Sequence, residues 1–81
     1  MRLLVIEDEP TLREQLRASL QSDGFVVDHT GTGVEGQFFG EEYPIDLAIV
    51  DIGLPDISGI EVIKRWRETG VSFPVLILTA R

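Results

Sequence analysis

Leu47-Ala48-Ile49-Val50-Asp51-Ile52-Gly53-Leu54-Pro55-Asp56-Ile57-Ser58-Gly59 begins as an unbroken apolar run, stops on a carboxylate, and turns through Gly53 and Pro55 toward a helix. A strand apolar on both faces belongs inside a parallel sheet covered by helices on either side. The span from Asp46 to Val50 is therefore expected to be a central strand. Ser58 followed three residues later by Glu61 is a capping box, and Ile60, Ile63 and Trp66 supply a buried stripe for a helix that ends at Gly70. Pro55 and Gly59 shape the loop, and Asp56 reads as a turn residue.

The same alternation extends outward in both directions. Arg2 to Ile6 reads as a buried strand, and Pro10 opens a helix with Leu12, Leu16 and Leu20 on one face, stopped by Gly24. Phe25 to His29 reads as a second strand. Val34, Phe38 and Phe39 mark the apolar side of a short, glycine-weakened helix ending near Glu42. Pro74 starts a last strand, Val75 to Leu78. The order β-α-β-α-β-α-β implies a doubly wound parallel sheet with right-handed crossovers, whose ligand site lies at the carboxyl ends of the strands.

Eighty-one residues make at most one small domain. Chains of such length bury only about 60% of the surface they expose when unfolded. Hydrophobic residues at 43% and charged residues at 26% suit a globular domain. Seven basic against fourteen acidic residues give a net charge of −7, which repels nucleic acid and anionic membrane surfaces. Direct DNA binding by this chain is not expected. Without cysteine there is neither disulfide nor thiolate metal site, and the single His29 cannot build a zinc site alone. The apolar run Leu3 to Ile6 is too short for a signal sequence or a membrane span. A soluble, unprocessed, cytoplasmic chain is expected.

The chemistry gathers at the strand ends. Glu7 and Asp8 follow the first strand, Asp51 the third and Thr79 the fourth. In a flavodoxin-like order 2-1-3-4 the first and third strands are neighbours at the topological switch point, which places Glu7, Asp8 and Asp51 in one pocket. Two carboxylates about 4 Å apart oppose each other by roughly 4 kcal/mol at an effective dielectric near 20, so three call for a counter-charge. With oxygen ligands only, Mg2+ fits best, keeping several waters and accepting a phosphate oxygen; calcium or manganese would also fit. Asp51, held beside such an ion, is the best-placed nucleophile for forming an acyl phosphate. The Thr79 hydroxyl can donate to a phosphoryl oxygen, and small Ala80 leaves its backbone amide accessible.

Glu7-Asp8-Glu9-Pro10, then residues 51–59, then Thr79-Ala80 resemble the receiver domain of two-component response regulators over all 81 residues. That resemblance implies Asp51 as phosphoacceptor, with Asp8, the Asp51 carboxylate and the Gly53 carbonyl as direct metal ligands, Glu7 acting mainly through water, and Thr79 as a switch hydroxyl. It further implies a sensor histidine kinase as phosphodonor. The wording from Asp51 to Val62 is most similar to the transcriptional subclass with a winged-helix DNA-binding domain, often called OmpR-like. A receiver of that family continues through a fourth helix, a lysine-bearing fifth strand and a fifth helix. On the resemblance, residues 1–81 are expected to be the front two-thirds of a receiver, with no output domain. The fourth strand then forms an apolar edge, and dimerisation, swapping or aggregation through it is expected.

Rival readings bear on the same residues. Gly31-Thr32-Gly33-Val34-Glu35-Gly36 satisfies the dinucleotide fingerprint G-x-G-x-x-G, with Asp51 twenty residues beyond Gly31. Against it, the acidic edge opposes a pyrophosphate and Glu7, Asp8 and Thr79 go unused. An aspartyl phosphatase wants a second acid two residues after the nucleophile, where Gly53 stands. A catalytically silent fragment that only competes for a receiver surface is the third alternative. The blandest reading leaves the strand-end acids as solvated loop residues, which any one of them could be, though hardly all together. Trp66, Phe38 and Phe39 read as packing, the Glu61 and Arg65 pair as a solvated helix face, and His29 as a strand-edge residue without a role.

Overall fold

A computed structural model of the chain describes residues 1–78. Strands β1 (Arg2–Ile6), β2 (Val26–Thr30), β3 (Leu47–Asp51) and β4 (Val75–Leu78) alternate with helices α1 (Pro10–Ser22), α2 (Gly33–Glu42) and α3 (Gly59–Glu68). All strand pairs are parallel, and the sheet order is β2-β1-β3-β4, the flavodoxin-like arrangement. β2 and β3 each lie one residue later than their apolar runs suggest. Pairing decides this: Arg2 to Ile6 match Val26 to Thr30, while Asp51 is drawn into the ladder opposite Leu78.

Alternation along the strands splits the core in two. Leu4, Ile6, Ala48 and Val50 pack with Val62 and Trp66, while Val5, Val27 and Ile49 pack with Leu16 and Leu20 of α1. Trp66 is fully buried, its indole N–H donating to the Gln37 carbonyl at 3.1 Å and its ring meeting Phe73 edge-on.

Two helices turn a different side inward than their large apolar residues indicate. In α2, Val34 and Phe38 are exposed and Phe39 is half-buried, while Gly33, Gly36 and Gly40 are buried. The helix packs so closely that hydrogen alone fits there: a Cβ on Gly36 would collide with the Ile6 side chain, and one on Gly40 with the Trp66 indole. In α3, Ile60 is exposed and Ile63 half-buried, whereas Gly59, Val62 and Trp66 form the buried stripe. Ser58 sets that phase, its hydroxyl accepting from the Glu61 N–H. In α1 no residue is fully buried, and Leu12 is exposed.

Candidate functional site

Because β1 and β3 pair in parallel with Ile6 opposite Val50, the next residue on each, Glu7 just past β1 and Asp51 as the last of β3, emerges beside the other. Both are buried, at 1% exposure each, and Asp8 is half-buried. Each of these three acids offers a carboxylate oxygen, and those oxygens lie within 4.8 Å of one another. The three acids that end the first and third strands in sequence thus converge in space.

Neighbouring backbone fixes Glu7 and Asp51. Glu7 accepts from the Glu9 N–H at 2.9 Å, and its own N–H donates to the Thr30 carbonyl at 3.0 Å. Glu9 then caps α1, accepting from the N–H groups of Leu12 and Thr11, which hold its carboxyl below the usual range. The Arg13 guanidinium reaches back from α1 to the Glu7 carbonyl at 2.9 Å, passing where a side chain on Gly31 would stand. Neither Glu9 nor Arg13 was singled out from sequence; Glu9 directly before Pro10 was the legible sign of a cap.

At the other strand end, an Asp51 carboxylate oxygen accepts from the Gly53 N–H at 3.2 Å. The Ile52 carbonyl closes the loop by accepting from Leu54 and Gly59, each at 3.0 Å. Asp56 sits in the bend that the sequence suggests and does more than turn the chain: its carboxylate crosses to α2 and accepts from the N–H groups of Gly33 and Val34, each at 2.8 Å. Spacing along the sequence cannot show such a cap, since its partners lie 22 and 23 residues away.

Burial alone would raise the Asp56 pKa, but the N–H groups of Val34, Gly33, Ile57 and Asp56 itself outweigh that and hold it below its ordinary 3.8. A carboxyl lowered on folding stabilises fully above its ordinary value, and that contribution fades as pH falls through the lower folded value. Urea titrations at pH 7 should therefore show Asp56→Asn less stable than the unsubstituted chain. By about pH 2 the difference should vanish.

The remaining sequence candidates fall out differently. Thr79 and Ala80 lie outside the described residues. His29 is exposed on the edge strand β2. Gly31, Gly33 and Gly36 of the dinucleotide fingerprint are occupied with packing, against Arg13, Ile57 and Ile6 in turn. Among the described residues no helix is long and apolar enough to cross a membrane.

All donors of the acidic cluster are oxygens and two of its three members are buried, a set that suits a hard divalent cation such as Mg2+. Fold and cluster together define a doubly wound α/β domain with a cation-ready anionic site at its switch point. Residues 3–81 match the Response regulator receiver domain, and the chain belongs to that family. It is 48% identical over its full length to the virulence transcriptional regulatory protein PhoP of Salmonella choleraesuis, and 46% identical to the transcriptional regulatory protein PhoP of Escherichia coli. The chain spans 36% of the length of these relatives. Among solved structures it resembles the response regulator TrrA of Thermotoga maritima in complex with Mg2+ and BeF, at 38% identity and a TM-score of 0.91, covering 99% of this chain and 70% of that one. It also matches TrrA in complex with the histidine kinase ThkA, at a TM-score of 0.87 and 38% identity, over 98% of this chain and 68% of that one. Family membership removes the dinucleotide and phosphatase readings.

Proposed function

We propose that the chain is a phosphoacceptor, taking a phosphoryl group from a histidine kinase onto Asp51 with Mg2+ held by Glu7, Asp8, Asp51 and the Gly53 carbonyl. The observation that carries this reading is the convergence of three carboxylates at the ends of β1 and β3. An Asp51 oxygen attacks phosphorus, the bond from phosphorus to the kinase imidazole nitrogen breaks, and its electron pair stays on that nitrogen, which regains a proton. Bound Mg2+ supplies neutralisation of the charge on the equatorial phosphoryl oxygens. The Gly53 N–H orients the Asp51 carboxylate, while the backbone bonds around Glu7 keep the acids converged without reorganisation. The Thr79 hydroxyl and the Ala80 amide serve as phosphoryl contacts. The chain modifies itself once and turns over no separate substrate.

Residues 1–81 act as receiver, the signal controls DNA binding by a separate domain as in a transcriptional regulator, and the setting is the cytoplasm. The support is the kinship with PhoP proteins and the existence of a kinase complex for TrrA. In this chain β4 pairs only with β3 among the described residues, and Leu76 and Ile77 on its two faces are 58% and 44% exposed. Self-association through that edge is expected. Sedimentation velocity at rising concentration should show dimers or larger species; a single monomer throughout would refute it.

Acetyl phosphate with Mg2+ tests the main proposal by intact mass. The chain should gain one phosphoryl group, labile to hydroxylamine, with none added when Mg2+ is chelated. Mg2+ binding without any label would favour the silent alternative instead.

A further inference from the structure

Gly53 sits in open space in the acceptor loop, since a Cβ there would meet no atom within 4 Å, and its N–H donates to the Asp51 carboxylate at 3.2 Å. Its position is set by the residues around it. The base of the loop is closed by the Ile52 carbonyl, and its tip is anchored elsewhere, on the first turn of α2. Two contacts make that anchor. Both carboxylate oxygens of Asp56 accept α2 N–H groups, and Ile57 lies over Gly33 so closely that a Cβ on Gly33 would come within 2.6 Å of its Cγ1. The end of α2 has its own cap as well, the Thr32 hydroxyl accepting from the Glu35 N–H. A helix opens with several backbone donors that lack partners inside it. Here Thr32 takes one, and the two that precede it are given to the acceptor loop.

We propose that Asp56 is a positioning residue for the acceptor site: by bridging to Gly33 and Val34 it holds the 53–57 loop against α2, and so sets Gly53 beside Asp51. The inference deepens the proposed function and rests on it for the meaning of that site. Asp56 lies outside the acidic cluster of Glu7, Asp8 and Asp51. It acts through Gly53, whose N–H bonds Asp51 and whose carbonyl is the proposed metal ligand.

Two readouts on the 81-residue chain test this: calorimetric Mg2+ titration, and amide hydrogen exchange at Gly53 followed by NMR. Asp56→Ala should weaken Mg2+ binding by about tenfold, as loss of a supporting contact does in metal sites. The same variant should accelerate exchange at Gly53. Thr32→Ala removes a cap from the same helix end without touching the loop, and should leave both quantities at their unsubstituted values. Asp56→Asn keeps one good acceptor, should fall between, and carries the comparison if Asp56→Ala does not fold. Equal changes in Asp56→Ala and Thr32→Ala, or no change in either, would overturn the proposal, for the contact would then be only structural. If the unsubstituted chain binds no Mg2+, the reading of the acidic site fails, and the Gly53 exchange comparison alone decides whether Asp56 positions the loop.

Discussion

Asp51→Asn is expected to abolish phosphoryl labelling completely and, at the same time, to make the metal-free chain more stable. Both effects follow from one change of charge. Amide and carboxylate have nearly the same shape, and the amide oxygen still accepts from Gly53, so the loop stays in place. What disappears is a nucleophilic oxygen and one negative charge from a cluster whose oxygens lie within 4.8 Å of one another. At about 5 Å and an effective dielectric near 20, each like-charged pair opposes folding by about 3 kcal/mol before screening. Removing one member should leave a net gain of about 2 kcal/mol, or about 10 °C in melting temperature for a domain of this size. Mg2+ should then raise the melting temperature of the unsubstituted chain but barely move that of Asp51→Asn, because ligand stabilisation scales with affinity for the folded state. Thermal melts with and without Mg2+ read all four values. If Asp51→Asn melts lower than the unsubstituted chain without metal, Asp51 is a structural acid and the shared-cation picture fails.

Much of this was legible before the fold. The strand runs Leu47 to Val50 and Leu3 to Ile6 announce themselves because parallel strands buried on both faces cannot carry polar residues. An acid directly after such a run is conspicuous for the same reason, and so Glu7, Asp8 and Asp51 were found as a group. The helices were harder to read. Apolar periodicity assumes that a helix buries its large side chains, whereas α2 buries its glycines and leaves Val34 and Phe38 outside. The signal was present as Gly33, Gly36 and Gly40 at helical spacing, but the partial match to a dinucleotide fingerprint competed for the same residues. Asp56 and Arg13 were not legible at all. Each acts on backbone groups brought near only by the fold, and no local pattern marks a side chain whose partners are distant carbonyls or N–H groups.

Gly59→Ala is expected to be the most destabilising single-methyl substitution in the acceptor region, lowering stability by about 3 kcal/mol. Glycine is required there for space, not for backbone freedom, since the only positive φ angles among the described residues are those of Gly24 and Gly70. Gly59 opens α3 directly over the end of β3, where a Cβ would collide with the Asp51 carbonyl oxygen and stand 2.8 Å from a Val50 methyl. Backbone on one side and a buried strand on the other leave nothing to swing away. The Gly59 N–H is also tied to the Ile52 carbonyl at 3.0 Å, so the helix cannot slide without opening the loop. At Gly36 the added methyl would meet side-chain atoms of Ile6 and no backbone, so that side chain must shift, and at Gly24 it would meet open space, leaving a φ of +94° as the sole difficulty. Those substitutions should cost about 1 to 2 kcal/mol each. Natural domains have only about 0.05 to 0.15 kcal/mol of stability per residue, so a loss of 3 kcal/mol consumes much of the margin of a chain this short. Urea unfolding should show the midpoint falling in the order Gly24→Ala or Gly36→Ala, then Gly59→Ala, with the slope unchanged. Because the displaced atom is the carbonyl of Asp51 itself, the fraction of Gly59→Ala that remains folded should also bind Mg2+ more weakly, whereas the Gly24→Ala chain should bind it normally. A Gly59→Ala midpoint no lower than that of Gly24→Ala would mean that α3 and β3 do not meet as closely as the fold has them.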